Sequence, residues 1–372
     1  MRIGIVTYHS SHNYGSMLQA YAFTYYLKSK DYDVEIIDFR SKKQLRLYHY
    51  PLCPLVYNFR YFKKFLYSFT NPLWLYHECK KWNLYEKFIK DYLPVTSKRY
   101  TRWEDVLRDL KMLQYDLLIA GGDQIWNMQA LHFDKAYYLS GVPLSMRKIS
   151  YSPSFGGVFL NKIKPEEQAF IKEALSNFSS ISVRETSMKE FLQPLVNTNI
   201  SIAVDPTLLL CTEDYDNILQ NEPIVKEKYI FYYSPFPNMK SESLAILYGR
   251  HKKLKVITTF PHIRKNEMSV VHESGPSEFL NLLKNATMVI GRSFHLVVFS
   301  LLFHKDFIVA DGIIDNRIRD ILKRVGLEDR GSIDCSNYEK MELTPIDTDK
   351  IDAYISSQRQ TSINYLIKSI NN

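Results

Sequence analysis

The chain has 372 residues, of which 45% are apolar and 14% aromatic, so it can bury a large core in two domains and is not intrinsically disordered. Its four cysteines are widely separated and form no C-x-x-C pair, which argues against a zinc ribbon or a disulfide scaffold. The chain contains no apolar run of the roughly 18 residues that a membrane span needs, and Met1–Tyr8 carries no secretory signal pattern, so we expect a cytoplasmic protein.

The first 220 residues predict a doubly wound α/β domain. A strand, a polar loop, a helix and a second strand open the chain as a β-α-β unit, which requires a parallel sheet. Short apolar strands and helix-like stretches alternate after it. The predicted strands are Ile3–Thr7, Asp33–Asp38, Asp116–Ala120, Lys148–Ser152, Ser180–Arg184 and Ile202–Val204, and the predicted helices are Met17–Lys28, Pro165–Asn177 and Ser187–Leu195.

Residues 40–82 form a basic aromatic segment inserted in this domain. The segment has nine basic residues against one acid, Glu78, which accounts for the whole net charge of +8. Its many Tyr, Phe and Trp residues suit docking on an anionic membrane surface. The alternative is a packed helical insertion whose Lys and Arg side chains extend outward to water. Single-stranded nucleic acid uses similar groups, but no recognised nucleic-acid motif accompanies them, so we expect no nucleic-acid partner.

A second set of strands and helices predicts another doubly wound domain over residues 221–345, followed by a C-terminal helix within residues 346–372. The fold class is therefore α/β, with two Rossmann-like domains that face a cleft. That cleft is the expected ligand site. The predicted elements are strands at Tyr229–Tyr233, Leu254–Thr258, Met288–Ile290 and Phe307–Val309, and helices at Ser241–Tyr248, Pro276–Leu283, from Phe294, and at 351–370.

Polar residues follow two strands of the first domain, where ligands of open α/β sheets bind. His9, Asn13, Tyr14 and Gly15 lead into a helix whose N-terminus favours an anion or a sugar hydroxyl. The alternative for Asn13 to Gly15 is a turn with a helix cap. Histidines 9 and 12 have no third ligand near them, so we expect no metal site. Neither G-x-G-x-x-G nor a P-loop occurs there, which argues against a dinucleotide or ATP site.

The loop after the strand at Asp116 predicts sugar contacts. Its two glycines let the backbone approach a ligand, Asp123 and Gln124 can bond hydroxyls, and Trp126 can stack on a sugar ring. The alternative is a strand end followed by a tryptophan in the core. Two charged residues, Arg184 and Asp205, end further strands, where either a ligand or a mutual salt bridge would explain them.

Residues 291–295 form the densest candidate site. Gly291 ends a strand, Ser293 is a potential N-cap, and the free amides of the helix start together with Arg292 can bind an anion. His295 lies one turn inside, where it can exchange a proton with that anion, although a buried, satisfied histidine is the alternative. A serine nucleophile elbow would need glycine in place of His295, so that chemistry is excluded.

These motifs together resemble the polysaccharide pyruvyl transferase family. The resemblance spans nearly the whole chain and is specific in the order and spacing of its motifs. It is carried by IGIVTYHSSHNYGSMLQAYAFTYYL at 3–27, GGDQIWN at 121–127, YSPSFG at 151–156, SVRE at 182–185, DPTLLL at 205–210 and the stretch from 275 to 309. It implies a GT-B-like glycosyltransferase architecture, with the acceptor on the first domain and the donor on the second.

The resemblance also implies an activity. A family member transfers the pyruvyl group of phosphoenolpyruvate onto two hydroxyls of one sugar, typically the 4- and 6-hydroxyls, and makes the cyclic ketal of a capsule or exopolysaccharide precursor. We expect a lipid-linked acceptor, a peripheral site of action at the inner face of the cytoplasmic membrane, and no cofactor. Other members have an arginine at the Ser293 position, so the donor grip is rearranged, with Arg292, Arg184, Arg264 and Arg317 as candidates.

The expected roles divide between donor and acceptor. His295, Arg292 and Arg184 are the predicted catalytic residues, and His295 is the acid that protonates the methylene carbon. Ser293, Phe294, Arg264 and Arg317 are expected to bind the donor. The predicted acceptor-binding residues are His9, Asn13, Tyr14, Gly15, Asp123, Gln124 and Trp126, and His9 or Asp123 is the expected base. The alternatives are a glycosyltransferase that uses a nucleotide sugar, which the same fold supports, and a non-catalytic sugar-binding protein.

Overall fold

The first sheet is parallel and places the loops of the first α/β unit on one edge. The computed structural model describes residues 1–53, 66, 70–157, 160–259, 269–310, 315–331, 333–340 and 343–372. The strand order is β2-β1-β3-β4, and β5 and β6 continue it through a bridge between Ile149 and Ser180. The strands are β1 (Arg2–Val6), β2 (Asp33–Ile36), β3 (Leu117–Gly121), β4 (Arg147–Tyr151), β5 (Ile181–Val183) and β6 (Ile200–Ile202).

Helices cover both faces of this sheet. They are α1 (Tyr14–Lys28), α2 (Lys42–Leu47), α3 (Pro72–Tyr92), α4 (Trp103–Leu113), α5 (Pro165–Leu175) and α6 (Thr186–Leu192). Helix α1 is apolar on nearly all sides and almost completely buried. A helix of this kind belongs inside a protein, and here it lies between the first sheet and the second α/β unit.

The second sheet has the order β11-β10-β7-β8-β9 and is also parallel. Its order reverses between β7 and β10, so the loops after these two strands border a crevice. The strands are β7 (Tyr229–Tyr233), β8 (Lys255–Thr258), β9 (Ser269–Val271), β10 (Met288–Gly291) and β11 (Phe307–Val309). The helices are α7 (Met239–Lys252), α8 (Pro276–Asn285), α9 (Phe294–Leu302), α10 (Asn316–Val325) and α11 (Thr348–Asn371). The predicted α/β class with parallel sheets is confirmed, and the two sheets fit the predicted two-unit layout.

One hydrophobic core joins the two units. It runs from Leu18 and Phe23 of α1 to Phe231 and Val297 of the second unit, and includes Leu366 of α11. Helix α11 returns to the first unit, where Arg147 donates hydrogen bonds to the carbonyl oxygens of Ser369 and Ile370 and the Tyr365 hydroxyl donates to the Ser150 carbonyl. The last helix of the chain therefore connects both units.

The basic aromatic segment ends in helix α3, which packs on the second unit. Lys80 pairs with Glu273 at 3.2 Å, and Lys81 donates to the carbonyl oxygen of Thr259. Leu73 and Tyr76, at the start of α3, are exposed. Residues 54–65 and 67–69 of the segment, with Lys63 and Lys64, lie outside the described residues. The described end of the segment thus follows the alternative of a packed insertion. Among the described helices, none is long and apolar enough to cross a membrane.

Candidate active site

His295 and Gly15 meet where the two units face each other. Gly15 lies in the first turn of α1 and His295 in the first turn of α9. A methyl group placed on Gly15 would lie 2.0 Å from Nδ1 of His295, so a side chain at position 15 would displace the imidazole. His295 is buried, with a relative exposure of 6%. This contact brings the first turns of α1 and α9 together at the boundary between the two units, where the site is predicted.

Asp205 connects Arg184 and His295. Its Oδ2 atom lies 2.7 Å from Nη2 of Arg184 and 3.4 Å from Nε2 of His295, while Oδ1 accepts hydrogen bonds from the backbone and hydroxyl of Thr207. Burial opposes ionisation of this carboxyl, but Arg184 and His295 hold its pKa well below the usual range. The salt bridge considered for Arg184 and Asp205 exists, and the contact to His295 was not foreseen.

Two buried arginines flank the ring of Phe294. The guanidinium carbons of Arg184 and Arg317 lie 5.3 and 4.9 Å from the centroid of that ring. Arg317 also pairs with Asp315, with 2.6 Å between Nη2 and Oδ2. Nη1 of each arginine is buried and has no hydrogen-bond partner within the described ranges. Buried donors are rarely left without an acceptor, so this arrangement suits an anion.

A cavity of about 80 Å³ adjoins these groups. Arg184, Asp205, Phe294 and Arg317 line it, together with Glu185. The cavity brings together residues from the strand ends of the first unit and from the first turns of α9 and α10. Three of the residues assigned to the donor side therefore line one cavity, namely Arg184, Phe294 and Arg317, and His295 lies next to its lining residue Asp205.

The remaining donor-side residues differ in what the structure shows. The backbone amide of Arg292 donates to the Tyr233 carbonyl at 3.2 Å. Ser293 occupies the N-cap position of α9 with extended backbone, yet its side chain makes no capping hydrogen bond. Arg264 lies outside the described residues. Gly291 is needed for packing, because a methyl group there would lie 1.9 Å from the Tyr233 carbonyl oxygen of the neighbouring strand.

Asn13 and Tyr14 serve the fold. The Asn13 side chain caps α1 by accepting from the Ser16 amide, which is the alternative considered for it. Tyr14 is buried, stacks on Phe279 with 4.5 Å between centroids, and donates its hydroxyl proton to the Ser274 carbonyl. These contacts with Tyr85, Phe279 and Ser274 give Tyr14 a packing role, and its predicted contact with the acceptor stays a prediction.

His9 and Trp126 also have structural roles, contrary to prediction. His9 is fully buried, with Nε2 2.9 Å from Asp38 and Nδ1 3.2 Å from the Thr7 carbonyl, so it can neither reach an acceptor nor act as its base. Trp126 is fully buried, donates to the Tyr137 carbonyl and stacks on Tyr138. The turn after β3 directs its indole into the core rather than toward a sugar.

Asp123 stays beside the start of α1. It has a left-handed backbone, with φ of 50°, and its carboxylate accepts a hydrogen bond from the Ser16 hydroxyl. Gln124 is half-buried, accepts from the Asn127 side chain and packs against Gly156. Asp123 is buried, with its carboxylate next to the helix that carries Gly15.

The sequence reasoning missed two groups near these loops. Glu185 follows Arg184 directly and is buried beside it. The SVRE motif, which ends in Arg184 and Glu185, could have indicated that both belong to the same site. His12 lies 3.1 Å from Glu86 of α3 and stacks face to face on Tyr85. Burial lowers the pKa of His12 despite its contact with Glu86.

Arg40, the first cation of the basic aromatic segment, is buried and pairs with Asp38 and Glu86 instead of facing water.

Solved structures with a similar fold include sugar-nucleotide enzymes. The UDP-GlcNAc 2-epimerase from Methanocaldococcus jannaschii is 11% identical, with a TM-score of 0.54 over 96% of this chain and 92% of that chain. A putative UDP-N-acetylglucosamine 2-epimerase from Listeria monocytogenes is 7% identical, with a TM-score of 0.54 over 97% and 89% of the two chains. These likenesses establish a GT-B-type α/β fold and nothing about substrate.

The family is established by a separate comparison of sequence. A search of curated proteins finds no match to the chain. The family model for polysaccharide pyruvyl transferase matches residues 13–311, which include the capped start of α1, Arg184, Asp205 and His295. With that match spanning most of both α/β units, the chain belongs to the polysaccharide pyruvyl transferase family and is a transferase.

Proposed function

We propose that the chain transfers the pyruvyl group of phosphoenolpyruvate onto two hydroxyls of one sugar, releasing phosphate. The observation that carries the proposal is the pair of buried arginines around Phe294, each with an unpartnered guanidinium nitrogen among the described residues, next to His295. Phosphoenolpyruvate carries a phosphate and a carboxylate, and guanidinium groups bind both through paired hydrogen bonds. The free amides at the start of α9 add further donors.

His295 supplies the proton in the first step. It transfers the proton to the methylene carbon of the donor, which becomes a methyl group and leaves the adjacent carbon oxocarbenium-like. The first sugar hydroxyl attacks that carbon, and Asp123 accepts its proton. The second hydroxyl then closes the ring as the carbon–oxygen bond to phosphate breaks, and its proton leaves with the phosphate. Asp205, whose Oδ2 lies 3.4 Å from Nε2, helps to position the His295 ring.

Ligand binding tests this function directly. Phosphoenolpyruvate should raise the unfolding midpoint of the protein by mass action, and UDP-GlcNAc should not. With a sugar acceptor present, phosphate release should require both substrates. A midpoint that responds to nucleotide sugars and not to phosphoenolpyruvate would instead assign the chain to nucleotide-sugar glycosyl transfer.

The acceptor in this proposal is a lipid-linked saccharide, with the ketal on its 4- and 6-hydroxyls, as part of capsule or exopolysaccharide synthesis. Support comes from the concentration of net charge in residues 40–82 and from the exposed Leu73 and Tyr76 at the start of α3. Basic residues near an anionic surface contribute about 1 kcal/mol each. Lys80 and Lys81 contact the second unit, so the docking cations must come from the remainder of the segment, beginning with Lys42 and Lys43.

Vesicle co-sedimentation tests the membrane contact. The variant K42E/K43E should bind vesicles of anionic lipid more weakly than wild type at low salt, and the difference should shrink at high salt because the interaction is screened. The matched control is K252E/K253E, which makes the same change of charge at the exposed end of α7. Equal binding by both variants, or no binding by wild type, would remove the support for a membrane-presented acceptor and leave ketal transfer itself intact.

A further inference from the structure

Glu185 is a buried acid of the donor site whose two oxygens differ. The Gly156 amide donates to the Ser154 hydroxyl oxygen at 2.7 Å, and the Ser154 hydroxyl in turn donates to Oε1 of Glu185. Oε1 is therefore the accepting oxygen. Oε2 is also buried, and it has no hydrogen-bond partner anywhere in the described part of the chain. If Glu185 carries a proton, that proton belongs on Oε2, beside the cavity that Glu185 shares with Arg184 and Arg317.

Each arginine beside Glu185 already pairs with another carboxylate of the described chain. Arg184 is paired with Asp205 at 2.7 Å, and Arg317 is paired with Asp315 at 2.6 Å. These four groups come from the ends of β5 and β6 and from the start of α10. Asp320 and Arg324 of α10 also line the cavity, as one acid and one base, and His295 lies beyond Asp205. An additional carboxylate would make the cluster negative, and a negative cluster would repel an anionic donor.

The protein environment favours the neutral acid. Burial raises the pKa of Glu185, although Arg317 and Arg184 act in the opposite direction and Asp315 adds to the rise. A neutral carboxyl can donate one hydrogen bond, whereas a carboxylate can only accept. The unpartnered Oε2 and the unpartnered Nη1 atoms of the two arginines would then all be donors at one cavity.

We propose that Glu185 binds the donor as a neutral acid, with Oε2–H donating to an anionic oxygen of the donor, and that donor binding takes up a proton once the pH is high enough for free Glu185 to ionise. The inference rests on the proposed function, since it takes phosphoenolpyruvate as the anion. Glu185 is thus a donor-binding residue that selects an anion through its own protonation. As pH rises, free Glu185 loses its proton while the complex must keep it, so donor affinity falls.

Calorimetry with phosphoenolpyruvate tests the inference on the wild-type protein. Titrations in two buffers of different ionisation enthalpy give the number of protons taken up. The second pKa of a phosphate monoester is about 6. The titrations should be run well above that pH, so that the phosphate of the donor neither takes up nor releases a proton. We expect uptake that rises with pH toward one proton per site as free Glu185 ionises, and over the same range an affinity that falls by up to about tenfold per pH unit. Binding that takes up no proton and keeps the same affinity across the whole neutral and alkaline range would overturn the inference and leave the proposed function standing. Failure of phosphoenolpyruvate to bind at any pH would overturn the proposed function.

Glu185→Gln separates this role from packing. Glutamine keeps an oxygen to accept from Ser154 and an N–H to donate to the donor, so it should bind phosphoenolpyruvate at least as tightly as wild type, with the proton uptake removed and the pH dependence flattened. The matched control is Glu190→Gln on the exposed side of α6, which should retain uptake. His295→Gln should also retain it, because the proton is assigned to Glu185. Equal uptake in wild type and Glu185→Gln, or loss of binding in a folded Glu185→Gln protein, would contradict the role.

Discussion

At the residue scale, His295 of the second unit is positioned by two groups of the first unit. Gly15 of α1 lies against its Nδ1 edge, and Asp205 lies 3.4 Å from its Nε2. Both ring nitrogens are therefore constrained by groups more than 80 residues away in the chain. A histidine held beside an ionised carboxylate can carry a proton to a substrate and be reprotonated between turnovers.

His295→Ala should remove most turnover, with a loss of roughly two to four orders of magnitude, because a positioned general acid contributes about that much. Affinity for phosphoenolpyruvate should fall far less, since the arginines remain. Phosphate release and donor calorimetry on the same protein separate the two effects. Near-normal turnover would show that another group delivers the proton.

Arg184→Lys should weaken donor binding while the protein stays folded. Lysine can still pair with Asp205 but cannot reproduce the forked guanidinium, and a lost charged hydrogen bond is worth about 1.5 to 3 kcal/mol. Arg184→Ala should also destabilise the protein by roughly 3 to 5 kcal/mol, because it leaves Asp205 buried without its partner. Calorimetry and urea unfolding measure these changes, and Arg108→Lys at an exposed site is the control. Unchanged affinity in both Arg184 variants would move the donor clamp to Arg292, Arg264 or Arg317.

Asp205 should make stability depend on pH on the acid side. Its pKa in the folded protein lies below the unfolded value of about 3.9. The stabilisation of the folded protein by ionised Asp205 is therefore complete above about pH 3.9 and is lost as the pH falls below that value. Asp205→Asn should lower stability at neutral pH. It should also weaken the fall of the urea unfolding midpoint at acid pH, which is the acid limb of the pH profile. Asp349→Asn, at an exposed position, should leave the limb unchanged. An identical acid limb in wild type and Asp205→Asn would contradict the assigned pairing.

At the element scale, the first turn of α1 determines where α9 can place its histidine. Gly15→Ala would add a methyl group 2.0 Å from Nδ1 of His295, although alanine favours helix formation. We expect turnover to fall by roughly a hundredfold, since a displacement of about 1 Å can cost that much, with little change in helix content. Gly157→Ala is the control, because a methyl group there meets no atom within 4 Å. Full activity of Gly15→Ala would show that His295 has another productive position.

Helix α3 shows how packing changes the meaning of a charged segment. Composition alone predicts a surface for docking, yet Lys80 and Lys81 contact the second unit and Arg40 lies inside an ion-pair network with Asp38 and Glu86. Charge counts report how many cations a segment has. Partners distant in sequence decide which of those cations remain available to a membrane.

At the scale of the whole molecule, the shared core predicts a single unfolding transition. Leu366→Ala in α11 removes a fully buried side chain from the cluster that joins both units, and should lower stability by about 2 to 5 kcal/mol. The two units should still unfold together. Asn364→Ala on the exposed side of the same helix should have little effect. Thermal unfolding followed by calorimetry checks this, and two separated transitions would show that the units are independent.

Local pattern and chain order were enough to predict the α/β class, most strands, the family, and the positions of Arg184, Asp205 and His295 at strand ends and a helix start. These features are readable because apolar periodicity and the carboxyl ends of parallel strands follow from the chain itself. Only the tertiary structure decided which polar residues at those ends face the cleft. His9, Tyr14 and Trp126 are directed inward, while one oxygen of Glu185, beside Arg184 and Arg317, has no partner among the residues that the structure describes. The reason is that burial and pairing of a side chain depend on residues of other elements, such as Asp38 for His9 and Ser274 for Tyr14, whose approach no local pattern encodes.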